Sequence, residues 1–213
     1  MFHFPDLFEN CKDELTEAPS IYAQMDAAYS RIADAHGFHC SGCDENCCLT
    51  RFFHHTLVEY LYLIKGFYNL STILQDQITV HAARVNEMVD QAVVAEKISR
   101  VMCPLNMDGL CVLYNYRPMI CRLHGVPHQF RHPSGRMISG PGCAAFESQH
   151  GPAAGGMVLD RTPFYKDMVT LEGRVREKAG IREKLKMTVA QMIAAAGKNR
   201  KNRHETCRNR QPV

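Results

Sequence analysis

Cysteine placement constrains this chain more than any other feature of it. Four of its ten cysteines fall within one short run, Cys40-Ser41-Gly42-Cys43-Asp44-Glu45-Asn46-Cys47-Cys48. Four more follow at Cys103, Cys111, Cys121 and Cys143, and Cys11 and Cys207 stand apart. Cys40 and Cys43 have the C-x2-C spacing that lets two thiolates on one turn face a single ion. Gly42 between them suits a tight turn. Cys47 and Cys48 are adjacent, so their side chains diverge, and the pair fits two metals or two corners of a larger assembly better than one tetrahedral ion. The later cysteines are widely and unevenly spaced and must be gathered by the fold. Eight thiols fill two four-thiolate sites, or one iron–sulfur cluster and a structural zinc.

The bulk of the chain reads as an ordinary folded protein. With 213 residues it suits one domain with a tail, and 46% apolar and 22% charged residues are usual for a globular chain. The domain is expected over residues 1–196, with the motif region at 40–143 and a basic, disordered tail at 197–213. That tail carries Lys198, Arg200, Lys201, Arg203, Arg208 and Arg210 against Glu205, a net +5, so the rest of the chain is −2 and the net charge of +3 comes from the tail. A short basic terminus is a weak nucleic-acid signal, and no nucleic-acid module accompanies it. Residues 1–15 show no basic start followed by an apolar run, and no window approaches the roughly 18 apolar residues of a membrane span. The expectation is a cytoplasmic protein with no membrane partner. In that compartment clustered thiols serve as ligands or catalysts rather than disulfides.

Periodicity predicts a mostly α fold: a single helical domain with an irregular, cysteine-rich, metal-clamped segment and one short hairpin. Residues 1–19 read as an irregular lead-in, broken by Pro5 and Pro19. Ser20 caps a helix in which Ile21, Met25, Ala28 and Ile32 share a face, and Gly37 ends it. Thr50 opens a second helix that includes His54 and His55 and stops at Gly66. A third long helix, or two joined by a kink, covers 69–102. From Cys103-Pro104 to about Gly156, glycine, proline and histidine leave little room for regular structure beyond a hairpin at Asp108-Gly109, with a strand from Leu110 to Tyr114. Thr162-Pro163 starts a helix closed by Gly180, and a last helix covers Thr188 to Ala196.

The run Cys103-Pro104-Leu105, Asp108-Gly109-Leu110-Cys111-Val112-Leu113-Tyr114 and Arg117-Pro118-Met119-Ile120-Cys121-Arg122, preceded by a block ending in a double cysteine, resembles the signature of the CxxCxxCC cysteine-cluster proteins. That family is described as a zinc- or iron-chelating domain. A flagellin lysine N-methylase shares its cysteine pattern, which places an iron–sulfur cluster beside zinc as the implied cofactor. The likeness covers about Cys40 to Cys143. Three residues rather than two precede the double cysteine here. The ligands expected first are Cys40, Cys43, Cys48 and Cys121, followed by Cys47, Cys103, Cys111 and Cys143. Arg117 and Arg122 flank Cys121 and would offset the negative charge of a thiolate site. His36, His39 and His124 lie near cysteines and are secondary candidates to replace a thiolate.

Two functions compete on this evidence. One is a metalloprotein centred on zinc or an iron–sulfur cluster, as in a modifying or redox enzyme. The other is a structural zinc module that presents a surface to a protein partner, or less readily to nucleic acid.

Overall fold

The computed structural model describes residues 4–40, 47–96, 100–151 and 156–197. Cys43, Cys207 and the basic tail beyond Gly197 lie outside the described residues. The fold is mostly helical, with two small sheets. Its helices are α1 (Phe4–Asn10), α2 (Ala18–His36), α3 (Leu57–Tyr68), α4 (Thr72–Val94), α5 (Met119–Leu123), α6 (Ala144–His150), α7 (Thr162–Ala179) and α8 (residues 189–197).

Helix ends follow their caps. Gly37 closes α2 at φ 63°, and Phe38 N–H returns to the Ala33 carbonyl at 2.8 Å. Gly180 closes α7 the same way, with Ile181 N–H on the Arg176 carbonyl at 3.1 Å. Both are left-handed C-caps that glycine adopts without strain. At the start of α8, Thr188 and Gln191 cap each other: Gln191 N–H donates to Thr188 Oγ1 at 3.2 Å and Thr188 N–H to Gln191 Oε1 at 2.9 Å.

Several expectations need correction. The lead-in is not irregular: α1 and a 3₁₀ turn at Glu14–Glu17 occupy it. Helix α2 starts at Ala18 with Pro19 in its first turn, so Ser20 lies inside the helix rather than capping it. Pro19 does not break the chain, because the first turn of a helix has no use for the N–H that proline lacks. The second helix begins at Leu57, not near Thr50. Thr56 is its cap, accepting from Glu59 N–H at 3.1 Å and donating to the Glu59 carboxylate at 2.8 Å. His54 and His55 therefore precede the helix, and His54 forms an antiparallel bridge with Met187. The helix also runs through Gly66, where a β-carbon would stand 2.3 Å from Cγ of Tyr116; the glycine makes room for that ring. The long third helix is shorter than expected, ending at Val94.

The segment from 103 to 156 holds more regular structure than its composition predicts. The hairpin is present as β1 (Asn106–Met107) and β2 (Leu110–Cys111), turned by Asp108 at φ 52° and Gly109 at φ 84°. The strand stops at Cys111, and a 3₁₀ turn at Tyr114–Tyr116 replaces its expected end. Beyond α5, β3 (His128–Arg131) is the centre of a three-stranded sheet. It pairs antiparallel with β4 (Met137–Gly140) and parallel with β5 (Leu159–Asp160).

One core joins these parts. Tyr22 and Met25 of α2, Leu61 and Phe67 of α3, and Met168 and Leu171 of α7 are buried together. Contacts run between α2 and α5, α3 and α7, and α2 and α7. Leu105, Leu113, Leu123 and Phe146 carry the core under the cysteine-bearing segment, which is thus fastened to the helices from below. No helix among the described residues is long and apolar enough to cross a membrane.

Candidate metal centre

The described cysteines of the motif are spread over or beside several short elements, with Cys47 and Cys48 sharing one. Cys47 and Cys48 form a 3₁₀ turn, Cys47–Leu49. Cys103 precedes β1, Cys111 ends β2, Cys121 lies in α5, and Cys143 caps α6. Cys40 follows α2 and is exposed. The two halves of the motif meet in the backbone: Cys103 N–H donates to the Cys48 carbonyl at 2.9 Å. Cys143 N–H similarly reaches the Gly125 carbonyl at 2.9 Å.

The sulfur of Cys103 has donors around it that follow from the sequence. Pro104 has no N–H, and the turn it sets brings the N–H groups of Leu105 and Asn106 to that sulfur. Asn106 N–H also closes the turn on the Cys103 carbonyl at 3.0 Å. Burial pushes the Cys103 thiol up to about 12, and the two N–H donors act against it. Cys111 is likewise pushed up by burial, with the Leu113 N–H opposing. Cys121 is raised by burial and then by like-charge repulsion from Cys103, Cys111 and Cys48. These four sulfurs therefore lie within one another's electrostatic reach.

A second group surrounds Tyr29 of α2. Burial first, and then Cys40, Cys143 and Cys47, raise the Tyr29 hydroxyl above its ordinary value. The adjacent pair thus faces both ways. Cys48 acts on Cys103, Cys111 and Cys121, whereas Cys47 acts on Tyr29 along with Cys40 and Cys143. The groups are not sealed off from each other, since Cys47 also feels Cys121. Cys47 and Cys48 share a hydrogen bond between their sulfurs, which lowers Cys48 and, with burial, raises Cys47. The Asn106 side chain and the charge of Arg117 lower Cys48 further.

The arginines are held by a carboxylate on α2. Arg117 reaches Asp26 Oδ1 at 3.4 Å and lies 3.5 Å over the Tyr114 ring, and its charge lowers both Cys48 and Cys111. Arg122 is buried. It pairs with the other oxygen of Asp26, donates to the Arg117 carbonyl at 2.9 Å and the Asn115 carbonyl at 2.6 Å, and stands 4.5 Å over Tyr22. Its donors go to carbonyls and Asp26, so it braces the 115–122 loop on α2.

As the side chains stand, no three Cys, His, Asp or Glu residues among the described residues are close enough together to hold one metal ion. The donor chemistry fits a thiolate metal centre in composition: soft sulfurs, N–H groups directed at them, and an arginine whose charge reaches them. The rings of His36 and His124 are engaged elsewhere. His36 Nε2 lies 2.7 Å from the Met157 carbonyl oxygen, and His124 packs edge-on against Phe52. His39 contributes its carbonyl to the Gln149 amide at 3.4 Å.

Asn106 and Tyr29 were not singled out from the sequence. Asn106 stands three residues after Cys103, where a cysteine-proline turn delivers its N–H, and that spacing was the available signal. Nothing local marks Tyr29, whose place depends on how α2 docks. No family model matches the chain, and no curated protein or solved structure matches it at a significant level, so the likeness to the CxxCxxCC proteins rests on the cysteine motif alone.

Proposed function

We propose that this chain is a cysteine-cluster metalloprotein that binds zinc or an iron–sulfur cluster through its eight motif cysteines. The observation that carries this reading is the set of N–H donors on cysteine sulfur: Leu105 and Asn106 on Cys103, and Leu113 on Cys111. An N–H directed at sulfur helps little while the sulfur is a neutral thiol, and stabilises it once it is a metal-bound thiolate. Cys48, Cys103, Cys111 and Cys121 make one ligand set. Cys40, Cys47 and Cys143, with Cys43, make the other. Cys47 and Cys48 then serve different metals, which answers the divergence of adjacent side chains. Arg117 offsets the negative charge of the first set. The bound metal would supply a cross-link between these elements.

The structural zinc module is the second reading. It is favoured by the anchoring of each cysteine element to the core through Leu105, Leu113, Leu123 and Phe146. A metal there would clip surface segments to a scaffold, and a structural zinc contributes on the order of 10 kcal/mol to folding. Purification without air followed by elemental analysis and a visible spectrum tests both. A brown protein with near-stoichiometric iron supports the cluster, and a colourless one with zinc supports the module. Trace metal alone in anaerobic preparations would defeat both.

A further inference from the structure

We propose that the outer face of the His54–Met187 bridge, built from Arg51, Phe53, Lys184 and Lys186, is a docking surface for an extended acidic segment of a partner protein. It uses none of the cysteines and does not rest on the metal reading. Two backbone hydrogen bonds make the bridge: His54 N–H donates to the Met187 carbonyl at 2.8 Å, and Met187 N–H to the His54 carbonyl at 3.0 Å. Side chains alternate between the two sides of extended chain. His54 is buried, and Leu185 and Met187 pack against the core, so these three face inward. Arg51, His55, Lys184 and Lys186 are exposed on the other side, around a half-buried Phe53.

Phe53 gathers the charge. Lys186 Nζ stands 4.6 Å and Arg51 Cζ 5.0 Å from the centre of its ring, whose negative faces attract both cations. Two cations from segments far apart in sequence are thus held within about 10 Å of each other, one Debye length at 0.1 M salt, and their repulsion is only partly screened. Among the described residues, no carboxylate forms an ion pair with Arg51, Lys184 or Lys186. Carboxylates from another chain relieve that repulsion.

Spacing selects the occupant. Lys184 and Lys186 stand two residues apart on extended chain, a repeat of about 6.6 Å. Carboxylates at alternate positions of an extended peptide have the same repeat, so successive acids meet successive cations. A single-stranded nucleic acid fits less well. It gains much of its hold by stacking bases on open aromatic faces, and cations lie over the ring of Phe53.

The test titrates the full chain into a short fluorescent peptide that alternates glutamate with serine, read by anisotropy. Binding is expected, and it should weaken roughly tenfold in Lys184→Glu/Lys186→Glu and again in Arg51→Glu. Arg208→Glu/Arg210→Glu, in the basic tail, should bind as the natural chain does. The patch side chains are exposed, so circular dichroism of these variants should match the natural chain. If a charge reversal unfolds the protein, Lys184→Gln/Lys186→Gln takes its place and should weaken binding by less. A single-stranded oligonucleotide of equal net charge is the competing probe. No binding of the peptide, binding unchanged in the patch variants, binding lost in the tail variant instead, or tighter patch-dependent binding of the oligonucleotide would each overturn the proposal. Metal content of the same preparations keeps the two ideas apart: protein without metal that binds the peptide defeats the metal reading and leaves the docking surface standing.

Discussion

The N–H of Cys103 donates to the carbonyl of Cys48 at 2.9 Å, joining the two halves of the cysteine motif through the backbone rather than through sulfur. Cys48 and Cys103 are thereby held as neighbours whatever occupies their side chains. Asn106 completes the unit: its N–H is directed at Cys103, and its side-chain amide, whose Nδ2 is buried without a hydrogen-bond partner, lies beside Cys48. Groups that orient ligands without ligating typically account for roughly 10–100-fold in metal affinity. Asn106→Ala should therefore weaken zinc binding by about that factor, read by competition with a chromogenic chelator. Cys11→Ala is the control. Its thiol packs in the core near the Val175 carbonyl, so zinc affinity should not change. Equal affinity in Asn106→Ala and the natural chain would remove Asn106 from the site.

Glu172 of α7 should be worth more to stability than its place on a polar helix predicts. Its carboxylate accepts from the N–H groups of Leu57 at 2.8 Å and Val58 at 3.0 Å, and it pairs with Arg176. It thus satisfies the first turn of α3 from another helix, where that turn's own residues cannot. Glu172→Ala leaves two buried donors and Arg176 without their acceptor, at a cost of roughly 3 kcal/mol. Urea unfolding reads this directly. Glu172→Gln keeps one acceptor oxygen and should recover part of the loss.

Helix ends were legible where a local signal decides them. Gly37 and Gly180 sit in the left-handed conformation, and Pro163 lies in the first turn of α7. The start of α3 was less legible because Thr50 and Thr56 are both competent caps. Glu59, three residues after Thr56, makes the reciprocal bond that selects the second. The three-stranded sheet was not legible at all. Strand β5 pairs with β3 across α6, and strands this short carry too little alternation in sequence to reveal a face. The density of thiols was plain from the sequence, but the way they group depends on docking of α2, the hairpin and α5, which spacing does not encode.

Acid should weaken the fold through Glu59. This carboxyl is 3% exposed, and burial alone would raise its pKa. The His54 ring 3.5 Å away, the Thr56 hydroxyl and the Met119 N–H together outweigh burial and hold it below its ordinary 4.5. A carboxyl lowered in the folded state binds its proton more readily when unfolded. The stability it contributes is therefore complete above 4.5 and is lost as pH falls through the lower folded value. Glu59→Gln should flatten the acid limb of a stability-against-pH curve in that window. An unaltered acid limb would place the responsible group elsewhere.

Gly66 offers the sharpest test of the packing between α3 and the motif segment. A β-carbon there would meet Tyr116 Cγ at 2.3 Å and Cδ2 at 2.5 Å, closer than real contacts allow. Alanine is otherwise the better helix residue by about 1 kcal/mol, so propensity alone predicts that Gly66→Ala stabilises α3. The clash should win, because the ring is confined: it packs 5.1 Å from Tyr62, and its hydroxyl accepts from Asn69. Overpacking of this kind typically costs about 1–3 kcal/mol, which after the gain in propensity leaves a net loss of up to roughly 2 kcal/mol. Thermal unfolding of Gly66→Ala, Tyr116→Ala and the double variant reads the coupling. The double variant should be more stable than the sum of the single losses, because removing the ring removes the clash and restores the gain in propensity. Strict additivity would mean that Gly66 and Tyr116 do not meet as the structure has them.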